Sequence, residues 1–239
     1  MHLSALELTA AIAAVLVGAS VQGSIGFGMN LVVVPVLALL EPAALPAVAV
    51  LLGLPLSITM VRHEHHAVDR RGVTWIFVGR IPGTVAGAWI VTAVSTAALS
   101  VVVGFAVLAA VAMSVVGGVY LVRRRNCVLA GAAAGVMGTA AGIGGPPVAL
   151  LYQHHDGPVI RSTLAASFLV GTMLSSATLA VTGSLGWDHV GLAAALTPAA
   201  LVGAVLSRVT HGIGGGWLHA AVLAFAALSA IVAIVNGLV

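Results

Sequence analysis

Ten apolar stretches take up most of the chain, at about 4–22, 29–40, 45–61, 73–95, 97–122, 127–143, 146–152, 161–182, 189–207 and 217–238. Eight of them run for 17 residues or more, close to the roughly 20 residues a helix needs to cross the hydrocarbon core of a bilayer. Charged residues make up only 6% of the chain, whereas a soluble domain carries about a quarter. A chain of 239 residues with so few charges cannot clothe a water-facing surface. Soluble enzymes, coiled coils, disordered tails and secreted disulfide scaffolds are thereby excluded. The expected fold is an all-α polytopic membrane protein, with about eight long transmembrane helices and two short broken segments, 29–40 and 146–152, in a single transmembrane domain over 1–239. Short segments of this kind are where membrane transport proteins tolerate irregular backbone at membrane depth.

The charges that remain are scattered. Nine basic residues, all arginine, stand against six acids. Nucleic-acid binders concentrate such residues on one face; here the longest run, Arg123-Arg124-Arg125, suits a cytoplasmic anchor, so no nucleic-acid partner is expected. The single cysteine, Cys127, excludes an intramolecular disulfide and a multi-cysteine metal site. Residues 1–22 lack the positive start of a signal peptide, and Glu7 is their only formally charged side chain. They read as a retained first helix in a multi-pass protein of the cell membrane.

Glycines and prolines recur at one spacing. Gly26 and Gly142 stand 116 positions apart, as do Gly28 and Gly144, Pro42 and Pro158, Pro82 and Pro198, Gly87 and Gly203. Two homologous halves are expected, about 4–122 and 127–238. Arg62, Arg70 and Arg71 occupy one loop and Arg123 to Arg125 another, two spans later, so both fit the cytoplasmic side. Shifted by 116, the first loop lands on 178–188, which holds Asp188 and no arginine. The arginine-free tip near 95–97 lands near 211–213, close to Arg208. Equivalent loops of opposite charge character are what an inverted-topology repeat predicts. Each half then crosses an odd number of times, for example as three full helices plus a broken hairpin, and both termini face outward.

Two stretches carry a resemblance. The first is Gln22-Gly23-Ser24-Ile25-Gly26-Phe27-Gly28-Met29-Asn30, followed by Pro35. The second is Gly138-Thr139-Ala140-Ala141-Gly142-Ile143-Gly144-Gly145-Pro146-Pro147, running on to Leu151-Tyr152. With their placement after the first helix of each half, they resemble the sulfite exporter TauE/SafE family of membrane permeases. The resemblance extends over nearly the whole chain, and it implies transport of small sulfur-containing anions such as sulfite and organosulfonates. One departure is that Phe27, Met29 and Asn30 interrupt a first-half run that is richer in glycine in many relatives.

Read physically, glycine lets backbone approach a ligand or a neighbouring helix closely. Pro146 and Pro147 suit the first turn of a new helix, and a half-helix starting there is expected to aim free N–H groups and its positive dipole end at the membrane interior. Scattered glycines such as Gly87 and Gly117-Gly118 read as helix-packing positions. The two breaks read as substrate or gate lining, which makes Gly26, Gly28, Asn30, Thr139, Gly142, Gly144, Gly145 and Pro146 candidate substrate-binding residues. Arg80 joins them. An arginine at helix centre costs about 2.5–3.5 kcal/mol on insertion scales, so it faces protein or water, or snorkels to the interface about 10 Å away. Facing an anion, it offers bidentate contacts.

Other polar groups have plainer readings. His63-Glu64-His65-His66 with Asp69 is not H-E-x-x-H and reads as a solvated loop. His154-His155-Asp156 is either a proton-sensing gate or an ordinary charged loop end. Gln22, Asn30, Thr139 and Gln153 flank the breaks, where they can bind an oxyanion or satisfy freed backbone groups. No Walker motif occurs, so transport is expected to follow electrochemical gradients. The expected function is a secondary transporter exporting a small anion by alternating access, with a passive anion channel as the nearer alternative. An intramembrane enzyme built on Ser24 is the more distant one, because the surrounding residues are not G-x-S-x-G. Catalytic residues, metal sites and cofactors are not expected. The expected partners are a small anionic substrate and the bilayer, with a coupling proton and an oligomer left open.

Overall fold

The computed structural model describes residues 3–115, 120–209 and 215–238, and within these not the side chains of 208, 209, 215–219, 236 and 238. The sequence readings at Gly117-Gly118, at 211–213 and for the Arg208 side chain fall outside the described residues. The elements are α1 (Ala5–Ile25), α2 (Met29–Leu40), a 3-10 turn at Pro42–Ala44, α3 (Ala47–His63), α4 (Arg70–Ala93), α5 (Thr96–Val115), α6 (Arg124–Ala140), α7 (Pro146–Tyr152), α8 (Gly157–Val181), α9 (Trp187–Val209) and α10 (Gly215–Leu238). Local chemistry sets several of the boundaries. A capping box opens α1, where Ser4 Oγ accepts from the Glu7 amide and Glu7 Oε2 accepts from the Ser4 amide. Asp69 caps α4 by accepting from the Gly72 amide at 2.9 Å. The break after α1 needs glycine, because Gly26 and Gly28 adopt φ of 101° and 122°.

Among the described residues, five helices are long and apolar enough to cross a membrane: α1, α4, α5, α8 and the Trp187–Ser207 part of α9. At 17 residues each, α3 and α6 have the length expected from the sequence but are not among those five. The described apolar part of α10 is Ala220–Val235. Of the stretch expected at 97–122, the described residues are helical through Val115, and residues 120–123 lie outside any helix.

Packing inverts the soluble pattern. On α4, Val78, Ile81, Val85 and Trp89 face outward, while Gly79, Arg80, Gly83, Thr84 and Gly87 are buried. In a bilayer the outward face gains nothing by burial, so small residues that permit close backbone approach hold helices together. Gly79, Gly83 and Gly87 lie against the backbone of Val128, Ala132 and Val136, and a Cβ on Gly87 would stand 2.8 Å from the Val136 carbonyl oxygen. Gly87 is therefore a packing residue, and the matched steps of four make α4 and α6 parallel. Gly23 against Ser207 and Gly203 against Leu16 align α1 with α9 in the same way.

Shifted by 116 residues, each of the first five helices falls on its counterpart among the last five, α1 on α6 through α5 on α10. Contacts follow the same exchange: α1 packs on α9 as α6 packs on α4, and α3 on α9 as α8 on α4. One end of the bundle gathers basic residues. There Arg124 stacks 3.8 Å over Trp75, close to Arg70 and Arg71, and Arg161 pairs with Glu64 beside Arg62. At the other end the α9 start reaches the first half, where His189 Nε2 lies 3.1 Å from the Ala43 carbonyl oxygen.

Candidate functional site

Both breaks converge on one cavity of about 50 Å³. The first is held by side-chain amides. Gln22 Oε1 accepts from the Met29 amide at 3.1 Å and clips the end of α1 to the start of α2, while Nε2 donates to Met60 Sδ at 3.6 Å. Asn30 Nδ2 donates to the Gly142 carbonyl at 2.6 Å and to the Ala49 carbonyl at 3.2 Å. That one amide ties the first break to the second and to α3.

The second break runs from Ala141 to Gly145, with Gly142 at φ 74°. Here one sequence expectation is corrected. The start of α7 does not aim a set of free N–H groups inward: Pro146 and Pro147 have none, and the Val148 and Ala149 amides both donate to the Gly145 carbonyl, at 3.1 and 3.0 Å. The prolines that suit a first helical turn also delete its donors.

Positive charge comes from Arg80 instead. It lies ten residues beyond Arg70, about 15 Å along the α4 axis, and is only 3% exposed. It does not snorkel. Its guanidinium rests in a cradle of glycines from three elements. A Cβ on Gly138 or Gly144 would stand 3.0 or 2.8 Å from Nη2, and one on Gly171 would overlap the guanidinium itself. Nη1 makes a long 3.5 Å contact to the Ser167 carbonyl, and Nε has no partner. A buried cation so poorly satisfied is costly unless something completes it. The acids of this chain do not: Glu7, Glu41, Glu64, Asp69, Asp156 and Asp188 all lie at helix ends or in loops, and among the described residues Arg80 is the only charged side chain lining the cavity.

Seven of the nine residues proposed from sequence line this cavity: Gly28, Asn30, Arg80, Gly142, Gly144, Gly145 and Pro146. Two do not. Gly26 caps α1 and packs against Arg161 and Leu164, and the Thr139 hydroxyl lies 2.8 Å from that of Ser175 behind the cavity. Sequence reasoning missed Ser57, fully buried with an unpartnered hydroxyl, and the aromatic wall of Phe168. It also missed Gly171, which nothing marks out within an apolar stretch.

Toward the basic end, several contacts bridge the halves, the stacking of Arg124 on Trp75 and the Asp69 amide donating to Thr163 Oγ1 at 3.1 Å among them. Arg161 Nε donates to Glu64 Oε1 at 2.9 Å, and the Tyr152 hydroxyl donates to Asp69 Oδ2 at 2.7 Å. The His155 ring stands 5.2 Å from that of Tyr152. His63, His65 and His66 are exposed around Glu64, as a solvated loop would place them. The Ser24 hydroxyl donates to the Ser20 carbonyl at 3.0 Å.

No curated protein and no solved structure matches this chain. The profile of one protein family, sulfite exporter TauE/SafE, matches residues 10–233. Together with five helices long and apolar enough to cross a bilayer, that match identifies an integral membrane protein. Over nearly its whole length, the chain belongs to the sulfite exporter TauE/SafE family.

Proposed function

We propose that this protein is a secondary transporter of the cell membrane that exports a small anion, of the sulfite or organosulfonate class, by alternating access. The observation that carries this reading is Arg80, a buried guanidinium beside a cavity at mid-helix depth, with no carboxylate lining that cavity. An anion completes such a site and a cation is repelled from it. The family name supports the sulfur oxyanion class.

Alternating access needs two bodies that move against each other around the site. The exchange of helix contacts at an offset of 116, with α4 starting at the basic end and α9 at the opposite end, supports two inverted-topology halves within a single transmembrane domain. The arginine-rich end then faces the cytoplasm by the positive-inside rule, with both termini outside. Glu64–Arg161 and Asp69–Tyr152 join the halves at that end and separate when it opens. The anion enters there, meets Arg80 and the two breaks, and leaves when the opposite end parts.

The test is flux through proteoliposomes loaded with sulfite, with organosulfonates and sulfate as competitors. Saturable flux with counter-flow supports a transporter. Flux without accumulation or counter-flow makes the protein a passive channel. No protein-dependent flux of any of these anions, from protein shown to be folded, overturns the substrate assignment.

A further inference from the structure

Resting on the anion-transport reading, we infer that the species bound at Arg80 is a compact monoanion that still carries a proton, and not the fully ionised dianion of the same acid. Charge is the first support. Arg80 supplies a single positive charge to the cavity, and Arg161, which does not line it, is paired with Glu64. A monoanion brings the site to neutrality. A dianion leaves one uncompensated negative charge about 15 Å from the basic start of α4, where solvation is poor.

Hydrogen bonding is the second support, and it is independent of charge. The orientation of the Asn30 amide is set by its two carbonyl partners, Gly142 and Ala49, because only the NH₂ group can donate to both. Its Oδ1 is therefore an acceptor, buried and without a partner. A fully ionised oxyanion offers it nothing, whereas a protonated one brings a donor. The cavity, at about 50 Å³, suits a headgroup-sized anion.

A consequence follows for coupling. Among the described residues no aspartate, glutamate or histidine lines the cavity, so the proton that titrates at the site is the one the substrate carries. That proton crosses with the anion, and the pH dependence of transport belongs to the substrate. Sulfite exchanges its second proton near neutral pH, so the two candidate forms interchange where they can be compared.

The full-length protein in liposomes tests this, with protein-free liposomes subtracted at each pH. Total sulfite is held well below saturation and the pH of the loading side is stepped through neutrality. Initial flux is expected to fall about tenfold per pH unit above the second ionisation, following the monoanion. Bicarbonate, a compact oxyanion that keeps one proton and one negative charge above neutral pH, is expected to compete there with a pH-independent inhibition constant. Sulfate, a dianion throughout, is expected to compete at least tenfold more weakly. Flux that rises with pH, or sulfate competing as well as bicarbonate, overturns the inference and leaves the transport function standing. Absence of protein-dependent sulfite flux at every pH overturns both.

Discussion

In the first break, between α1 and α2, the backbone is clipped by the Gln22 amide; in the second, between α6 and α7, it is tied by the Asn30 amide at Gly142 and packs directly against the Arg80 guanidinium. The helices that stand in equivalent places differ in the same way. Arg80 precedes Pro82 by two positions, and 116 residues later Leu196 precedes Pro198 by two. Leu196 is fully buried in an apolar cluster that runs through α1, α2 and α9. Backbone devices recur because both halves must solve one packing problem. Charge does not recur, and a second mid-membrane arginine would add about 2.5–3.5 kcal/mol of insertion cost.

The harshest way to break that contrast is to erase it. Arg80→Leu makes the first half like the second at this position, and flux is expected to fall at least about 100-fold, the scale for losing one partner of a buried charge contact. Stability should move the other way. Removing an unpaired buried cation is expected to leave the melting temperature in detergent unchanged or raised. Arg80→Lys keeps the charge but loses the planar fork, so flux is expected to fall about tenfold. If Arg80→Leu keeps flux within threefold of the parent, Arg80 is a packing residue and the asymmetry has no functional content. The reciprocal Leu196→Arg is expected to lower the yield of folded protein, because it adds a charge where an apolar cluster surrounds it.

A milder pair separates charge placement from backbone conformation. At Gly138 a methyl group meets Arg80 Nη2 at 3.0 Å and the Gly144 Cα at 3.3 Å, so the guanidinium must shift. Flux through Gly138→Ala is expected to fall about tenfold, the size of a misplacement effect, with little change in melting temperature. Gly28 has more room, with only Val21 Cγ1 at 3.3 Å, but its φ of 122° disfavours any side chain. Gly28→Ala is therefore expected to lose about 1–3 kcal/mol of stability. Thermal melts and flux assays on both variants check the crossover. Equal loss of stability and flux in both would mean that the two breaks have one role.

These residues also mark what was legible in the amino-acid sequence and what was not. Gly26, Gly28 and Gly142 announce the breaks because backbone at φ of 101°, 122° and 74° has few alternatives to glycine, and the 116-residue spacing relates Gly26 to Gly142 and Gly28 to Gly144. The depth of Arg80 was legible too. Its direction was not, because a long side chain can reach an interface or a cavity, and what decides is a cradle assembled from Gly138, Gly144 and Gly171 on three separate elements. Ser57 hides in an apolar stretch, where one hydroxyl carries no pattern. The prolines at 146 and 147 misled: they mark a helix start correctly, yet the same residues withhold the donors an anion would need.

The smallest expected effect concerns the contacts between the halves at the basic end. Glu64 and Arg161 are 29% and 26% exposed, so water and salt screen their attraction, and such a pair contributes about 0.2–1 kcal/mol. That is too little to hold the fold together but enough to bias an equilibrium between two arrangements by about fivefold or less. Glu64→Gln removes the charge and keeps the shape. Its transport rate is expected to change less than about fivefold, and a double-mutant cycle with Arg161→Gln on the melting temperature should give a coupling within that same range. Tyr152→Phe removes the neighbouring bond to Asp69, and the two lesions are expected to add if each contact resists opening separately. A loss of flux from Glu64→Gln as large as that from Arg80→Leu would move the anion site toward the basic end. The difference between the breaks would then cease to explain where the charge is needed.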